Sequence, residues 1–456
     1  MQIKNRVFDQ IAPGDRASLR RLLTADDLFI YAAASGNYNP AHLPSEDMDG
    51  DGVKERAAPG MFVAALISGL LGTQLPGPGT RLKHQNFEHH ARAHAGEEVR
   101  AEVRVLSKGP GARVRLAAEV TRVADGARLL SGEVEVEAPV VPYAADVALP
   151  GLTVQRHRHF EALLERAQPL PALPTAVVCP EDGKSLEGAL LAARESLIAP
   201  LLLGDPGRIA AAAVEIGADL AGLEVLPAAP HEAAALACAL VHEGRVQAVM
   251  KGQLHTDDLL RPMLDQHKGL RIGRRFTHVF VMDVPGLDHP LMVTDAAINI
   301  APDLLTKVDI VQNAIDLAVS LGMAPRVGVL SAVETVNPAI QSSIDAALLS
   351  KMAERGQIRG GEVEGPLAMD NAVDLAAART KGLKGDVAGR ANILVVPGLD
   401  AGNMLAKQLA FLSHAEGAGL VLGAKVPVIL NSRSDSAMSR LASCAVAAIH
   451  HFTGAR

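Results

Sequence analysis

A proline-rich stretch divides this chain into two parts whose apolar residues follow different patterns. Between Glu137 and Pro174 the sequence places six prolines around one short helical segment, 157–168. Proline fixes φ and cannot donate a backbone hydrogen bond, so this density is typical of an extended linker. A chain of 456 residues is also long for a single core. We therefore predict a first domain over 1–145, a linker with a short helix over 146–174, and a second domain over 175–456.

The first part combines one apolar helix with alternating strands. The stretch 60–74 is apolar on nearly every side, which is typical of a buried helix. The runs 97–106 and 128–137 alternate polar and apolar residues, so each predicted strand has one face on a core. An α+β domain follows, with one helix wrapped by an antiparallel sheet.

The second part alternates short apolar runs with helical segments. Continuous apolar strands between helices are typical of an α/β fold, in which helices cover both faces of a largely parallel sheet. Ligands of such sheets bind beyond the carboxyl ends of strands. We therefore expect the functional residues of this part to follow its strands.

Composition excludes several classes of function. The net charge is −7 and aromatic residues make up 3% of the chain, which argues against a nucleic-acid or anionic-membrane binder. No run reaches the roughly 18 apolar residues of a spanning helix, and the first residues lack a signal-peptide core. Three distant cysteines are inconsistent with a disulfide framework and fit a reducing cytoplasm. His89, His90 and His94 have no further ligand at metal-binding spacing, so we expect no metal.

The segment 35–42, SGNYNPAH, is the first motif with chemical meaning, and APGM follows at 58–61. Together they resemble the MaoC-like (R)-specific enoyl-CoA hydratases, which have the hotdog fold, over roughly residues 10–140. The resemblance implies a hydratase-like site at Asn37, His42 and Gly60. In that family an Asp five residues before the His helps to activate water, and Asn37 stands at that position here. An amide cannot accept this proton, which leaves two interpretations: a hydratase with a substitute base, or a CoA-thioester-binding domain that has lost its chemistry.

The second part carries a set of short motifs in a fixed order. They are Lys251-Gly252 with Thr256 and Arg261, Thr294-Asp295 with Asn299, Ser331-Ala332-Val333-Glu334, Gly365-Pro366-Leu367 with Asp370, Gly402-Asn403 with Lys407, and Ser432-Arg433-Ser434-Asp435-Ser436. This set resembles the phosphate acetyl/butyryltransferases, and 331–334 and 432–436 resemble the butyryl branch more than the acetyl branch. The resemblance implies the two-subdomain α/β fold of isocitrate and isopropylmalate dehydrogenases. The whole chain resembles bifunctional enoyl-CoA hydratase/phosphate acetyltransferase fusions.

The resemblance also implies roles for these residues. Acyl groups are exchanged between CoA and inorganic phosphate, so Arg433 and Arg261 are expected to bind the anions and Ser432 to donate a hydrogen bond at the reacting centre. CoA is then a substrate, and no cofactor is expected. The expected substrate-binding residues are Lys251, Thr256, Asn299, Glu334, Asp370, Asn403 and Lys407.

The base that accepts the CoA thiol proton is less well defined. The acetyl branch has an Asp seven residues after the Ser, and Ser439 occupies that position here. Asp435 is the nearest carboxylate and our catalytic candidate. It also directly precedes a helical segment, where Asp is a favoured N-cap.

We conclude that the chain is a cytoplasmic phosphate acyltransferase whose hotdog domain binds CoA thioesters. The main alternative is a fully bifunctional hydratase and acyltransferase, and a second is a metal-dependent hydroxy-acid dehydrogenase of the same fold. A symmetric homo-oligomer, a dimer or larger, is expected in each case.

Overall fold

The structure is a computed structural model that describes residues 2–48, 50, 54–148, 150–432 and 435–454. The chain forms two compact units, Met1–Val154 and Gln155–Arg456, so the division lies within the expected linker 146–174. Among the described residues, no helix has the length and apolar character needed to cross a membrane.

The first unit contains seven strands and two α-helices in its described residues, with short 3₁₀ helices at Phe8–Gln10 and Pro40–His42. In chain order they are β1 (Gln2–Lys4), β2 (Arg16–Leu22), α1 (Ala25–Ser35), α2 (Gly60–Thr73), β3 (Arg81–His89), β4 (Glu98–Gly109), β5 (Arg113–Arg122), β6 (Arg128–Glu137) and β7 (Ala144–Asp146).

An antiparallel sheet packs on one central helix in this unit. The strand order is β2-β4-β5-β6-β3, and β1 pairs separately with β7. Helix α2 buries Phe62, Ile67 and Leu70 in a core that includes Val103 and Leu116 of the sheet. The expected arrangement of a helix wrapped by a sheet is confirmed, whereas β2 was not foreseen.

The second unit alternates strands and helices along most of its length. Its elements begin with α3 (Arg158–Ala167), β8 (Leu173–Val178), α4 (Gly183–Arg194), β9 (Ile198–Gly204), α5 (Pro206–Glu215), β10 (Val225–Pro227), α6 (Pro230–His242), β11 (Ala248–Lys251), α7 (Thr256–Met263), β12 (Thr277–Asp283) and β13 (Leu291–Thr294). They continue with α8 (Leu304–Ser320), β14 (Arg326–Leu330), α9 (Gln341–Glu354), β15 (Glu362–Leu367), α10 (Met369–Val373), α11 (Leu375–Thr380), β16 (Ile393–Val395), α12 (Leu399–Leu412), β17 (Glu416–Leu422), β18 (Val428–Ile429) and α13 (Ala437–Thr453).

One 11-stranded sheet runs through this unit in the order β10-β9-β8-β11-β18-β17-β12-β13-β16-β14-β15. The five strands from β10 to β18 are mutually parallel, and so are the four from β13 to β15. The strands β17 and β12 are antiparallel to each other and to their outer neighbours. The sheet is therefore largely parallel, as expected, but it consists of two parallel blocks that run in opposite directions and are joined by an antiparallel centre.

Candidate active sites

A cavity of about 260 Å³ lies against α12, β17 and the first turns of α13. It brings together four residues that the sequence had singled out in two separate motifs: Asn403, Lys407, Ser432 and Asp435. Apolar side chains, among them Phe280 and Met282 of β12, complete the wall.

The strand directions explain why these motifs meet. Ser432 follows the carboxyl end of β18, and β17 runs antiparallel to β18. The first residue of β17, Glu416, consequently lies at the same edge of the sheet. Helix α12 ends shortly before β17 begins, so its last turns, with Lys407 and Phe411, flank that edge.

The backbone amide and the backbone carbonyl of Ser432 both form hydrogen bonds that fix the loop around this residue. The Ser432 amide donates to Asp435 Oδ2 at 2.7 Å, and the Ser432 carbonyl accepts from Arg440 Nη2 at 3.0 Å. Asn431 donates to Ser443 Oγ at 2.9 Å. These bonds fix the loop against α13, which is a preorganisation that a reacting centre requires. Arg440 and Asn431 were not foreseen.

Asp435 does not cap α13, contrary to the interpretation that the sequence favoured. The N-cap is Ser436, whose side chain accepts from the Ser439 amide at 3.0 Å. Asp435 instead closes the Ser432 loop from within the cavity wall. Burial raises the pKa of the Asp435 carboxyl, and the hydrogen bonds from Ser432 and Asn431 oppose that rise.

Glu416 is a carboxylate of this cavity that sequence analysis missed. Its Oε2 accepts from Ser436 Oγ at 2.5 Å and from the hydroxyl of Ser439, the residue found where the acetyl branch has Asp. Glu416, Ser436 and Ser439 all line the cavity. The absence of a carboxylate at 439 was the one signal in the sequence that could have prompted a search for another one.

Gly402 lets α12 approach the loop that follows β13. A Cβ at Gly402 would lie 2.7 Å from the Asp295 carbonyl oxygen and 2.9 Å from Ala296 Cα. The neighbouring Asn403 donates to the Ala296 carbonyl at 3.5 Å. Gly402 therefore lies inside a helix, where the absence of a side chain permits close packing.

We expect Gly402→Ala to destabilise the second unit by about 1–3 kcal/mol, because two of the three nearest atoms belong to the backbone and cannot move away easily. It should also reduce activity, since Asn403 and Lys407 move with α12. Gly72→Ala is the matched control: it lies in α2, where a Cβ meets nothing within 4 Å, and it should be neutral or slightly stabilising. Urea unfolding followed by circular dichroism compares the two, and equal free energies of unfolding would contradict this packing role.

The remaining expected residues of this unit lie outside the lining of the cavity. Lys251 is buried at the end of β11, Thr256 begins α7, and Arg261 is exposed in the last turn of α7. The side-chain amide of Asn299 donates a hydrogen bond to Asp295 Oδ2 at 2.6 Å. Two others complete the set: Asp370 on α10, and Glu334, paired with Lys381 at 3.1 Å. The structure therefore joins only part of the expected set in one cavity, and Arg433 lies outside the described residues.

In the first unit, two of the expected hydratase-like residues, His42 and Gly60, lie near the start of α2. Asn37 Oδ1 accepts from the Asn39 amide at 3.3 Å, in the turn that follows α1. His42 Nδ1 lies 2.9 Å from the carbonyl oxygen of Ala57, three residues before Gly60. A carbonyl oxygen only accepts, so Nδ1 of His42 is assigned as the donor of this hydrogen bond. The imidazole of His89 packs on Gly60, 3.0 Å from where a Cβ would be.

Among the described residues, no three His, Cys, Asp or Glu side chains are grouped as they would be to hold a metal ion. The buried free cysteines are not nucleophiles, since burial raises the pKa of Cys179 to about 11 and of Cys444 to about 12.

Comparisons with known proteins match both units. The family model described as phosphate acetyl/butaryl transferase matches residues 229–448, and the model of the MaoC like domain matches residues 12–127. The phosphate acetyltransferase of Rhizobium meliloti is 55% identical over 293 residues, which cover 64% of this chain and 93% of that protein. The phosphate butyryltransferase of Clostridium beijerinckii is 40% identical over 294 residues, 64% of this chain and 97% of that protein.

A solved structure agrees with these relatives. The branched-chain phosphotransacylase from Enterococcus faecalis V583 has 31% identity and a TM-score of 0.54, and the match covers 62% of this chain and all of that one. An acyltransferase unit thus follows a MaoC-like unit in one chain. The chain belongs to the phosphate acetyl/butyryltransferase family.

Proposed function

We propose that the second unit exchanges a short acyl group between CoA and inorganic phosphate, acyl-CoA and phosphate giving acyl phosphate and CoA. The observation that carries this proposal is the cavity in which Ser432, Asp435, Asn403 and Lys407 converge. Relatives of 55% and 40% identity named for acetyl and butyryl transfer support it. Both are named acyltransferases, which leaves the dehydrogenase alternative without support.

The chemistry suits the residues at the cavity. The Ser432 hydroxyl is a short donor for the thioester oxygen or the CoA sulfur, and its loop is fixed by Asp435 and Arg440. Lys407 supplies positive charge in the cavity wall for phosphate or for the diphosphate of CoA. Arg433 and Arg261 are assigned to anion binding from the sequence motifs. Direct transfer needs no acyl-enzyme, so positioning supplies much of the rate.

The test is acyl phosphate formation by the purified protein with phosphate and acyl-CoAs of two to six carbons. Acetyl-CoA and butyryl-CoA are both expected to react, and the ratio of their kcat/KM values gives the chain-length preference. Acyl phosphate absent with every acyl-CoA, or a reaction that depends on a nicotinamide cofactor and Mg²⁺, would overturn the proposal.

For the first unit we propose CoA-thioester binding without efficient hydration. The MaoC-like match and the His42 geometry support a thioester site, and Asn37 lacks the carboxylate needed to activate water.

We expect Asn37→Asp to raise crotonyl-CoA hydration by about 10²-fold or more, because it supplies the carboxylate that the MaoC-like hydratases have at this position. Adding His42→Ala should abolish that gain. The decrease of absorbance of the enoyl thioester measures both rates. Wild-type protein that already hydrates crotonyl-CoA at a rate abolished by His42→Ala would establish the bifunctional alternative instead.

We also propose a cytoplasmic homo-oligomer. The strand β3 supports this assignment, since it is an edge strand whose residues are mostly exposed in the single chain. Light scattering on the intact protein should give a mass above the 47.6 kDa of one chain, and that monomer mass would refute the proposal.

A further inference from the structure

We propose that Glu416 is the catalytic group that accepts the proton of the CoA thiol. This inference rests on the proposed acyl transfer and deepens it, because the sequence motifs offered only Asp435 as the proton acceptor and that residue was also a candidate N-cap. Glu416 lies in the same cavity wall as Ser432.

The hydrogen bonds of Glu416 leave one carboxylate oxygen available. Both of its bonds, from the hydroxyls of Ser436 and Ser439, go to Oε2. Within the part of the chain that the structure describes, Oε1 accepts no hydrogen bond. The two hydroxyls therefore orient the carboxylate while its second oxygen stays open to a proton donor in the cavity.

Asp435 is held differently. Its Oδ2 accepts from the Ser432 backbone amide and, at 3.4 Å, from the side-chain amide of Asn431. Those bonds shape the loop that carries Ser432, and a protonated Asp435 would weaken the first of them. We therefore assign Asp435 a positioning role and Glu416 the proton transfer.

Charged groups of both signs lie near Glu416 in the structure. On β12, Asp283 is its register partner, and burial raises the pKa of Asp283. The loop before α13 contributes Asp435 to the cavity wall, and α12 contributes Lys407. A carboxylate and an ammonium group thus line the same cavity as Glu416.

The step balances as a simple transfer. In the direction of acyl-CoA formation, the S–H proton moves to Glu416, the sulfur bonds to the carbonyl carbon, and the bond from that carbon to the phosphate oxygen breaks. Phosphate leaves with the electron pair. In the reverse direction, protonated Glu416 returns the proton to the departing sulfur.

The experiment is steady-state acyl transfer from acyl phosphate to CoA by Glu416→Gln, with Glu354→Gln as control. Glu354 is an exposed carboxylate on α9. The control should retain wild-type rates, whereas Glu416→Gln should lose about 10²- to 10³-fold in kcat at pH 7. A free thiol ionises near pH 8.5, and an ionised thiol needs no proton acceptor. The ratio of wild-type kcat to Glu416→Gln kcat should therefore decrease by roughly 10- to 30-fold between pH 7 and about pH 9.5.

A second variant separates proton transfer from a merely structural role. In Glu416→Gln with Ser439→Asp, a carboxylate returns on α13 at the N3 position, where an acid is favourable, and at least tenfold of the lost rate should return. Asp435→Asn should lose rate by a factor that does not change with pH, because its role is positioning.

Three outcomes are decisive. Acyl transfer absent from wild-type protein overturns the proposed function and this inference together. Wild-type transfer with a Glu416→Gln loss below about threefold, or with a deficit independent of pH, overturns the inference alone. A deficit that narrows with pH in Asp435→Asn but not in Glu416→Gln assigns the proton to Asp435 instead.

Discussion

Replacing Lys307 by alanine should lower the free energy of unfolding of the second unit by about 3–5 kcal/mol. Lys307 on α8 and Asp345 on α9 form an ion pair of 2.6 Å, and their side chains are only 6% and 7% exposed. Removing the ammonium leaves a buried carboxylate whose other hydrogen bond, from Gln341 Nε2 at 2.8 Å, cannot balance its charge. Urea titration followed by far-UV circular dichroism measures the loss, taken from the transition of this unit.

Two further variants test that reasoning. Lys351→Ala removes a pair with Glu354 on the surface of α9, with side chains 56% and 65% exposed, and should cost less than about 1 kcal/mol. Lys307→Met with Asp345→Leu removes both buried charges and should restore most of the loss. If Lys307→Ala proved no more destabilising than Lys351→Ala, the buried pair would not hold α8 to α9.

The sequence predicted the strands and helices with clear periodicity and missed those whose pattern is interrupted. The helix α2 was predicted because it is apolar on nearly every side, and the strands β4 and β6 because their polar and apolar residues alternate. The strand β17, EGAGLVL, was missed because Gly417 and Gly419 weaken its signal. Glycine is present at these two positions because of close packing. A Cβ at Gly417 would lie 3.1 Å from Met282 Sδ, and a Cβ at Gly419 would lie 2.4 Å from the Leu430 carbonyl oxygen. A tertiary contact of this kind cannot be recognised from the local sequence pattern.

The antiparallel centre of the sheet was not predicted, because the strands β17 and β13 were missed. The remaining strands alternate with helices, which is typical of a largely parallel sheet. The observed order places β12 between two strands that run against it. Pairing of this kind joins residues far apart in sequence, such as Val281 and Ala418, and periodicity carries no information about it.

The sequence motifs predicted only some of the residues of the candidate site. Ser432, Asp435, Asn403 and Lys407 were expected and do share one cavity. Glu416 was not predicted, because it belongs to no motif. It contacts Ser439 only because the chain folds back between β17 and α13. A side chain recruited by topology can be recognised only when the fold is known.

Arg433→Lys should reduce acyl transfer by about 30- to 1000-fold, or about 2–4 kcal/mol of transition-state stabilisation. Arg433 lies outside the described residues, and its assignment rests on the Ser432–Ser436 motif. The described neighbours on either side, Ser432 and Asp435, both line the cavity. A guanidinium binds phosphate through a planar fork of two donors, which the single ammonium of lysine cannot reproduce although the charge is kept.

The matched control is Arg274→Lys, which makes the same substitution away from the cavity. Arg274 pairs with Asp316 on α8 at 2.5 Å and is partly exposed, so this variant should retain near wild-type kcat and KM. Initial rates with butyryl-CoA at saturating phosphate give kcat, and phosphate titration gives KM. Because a lost fork weakens the transition state more than the bound ground state, kcat should fall more than KM rises. Equal rates for the two variants would remove Arg433 from phosphate binding and leave Lys407 as the cavity's cation for that task.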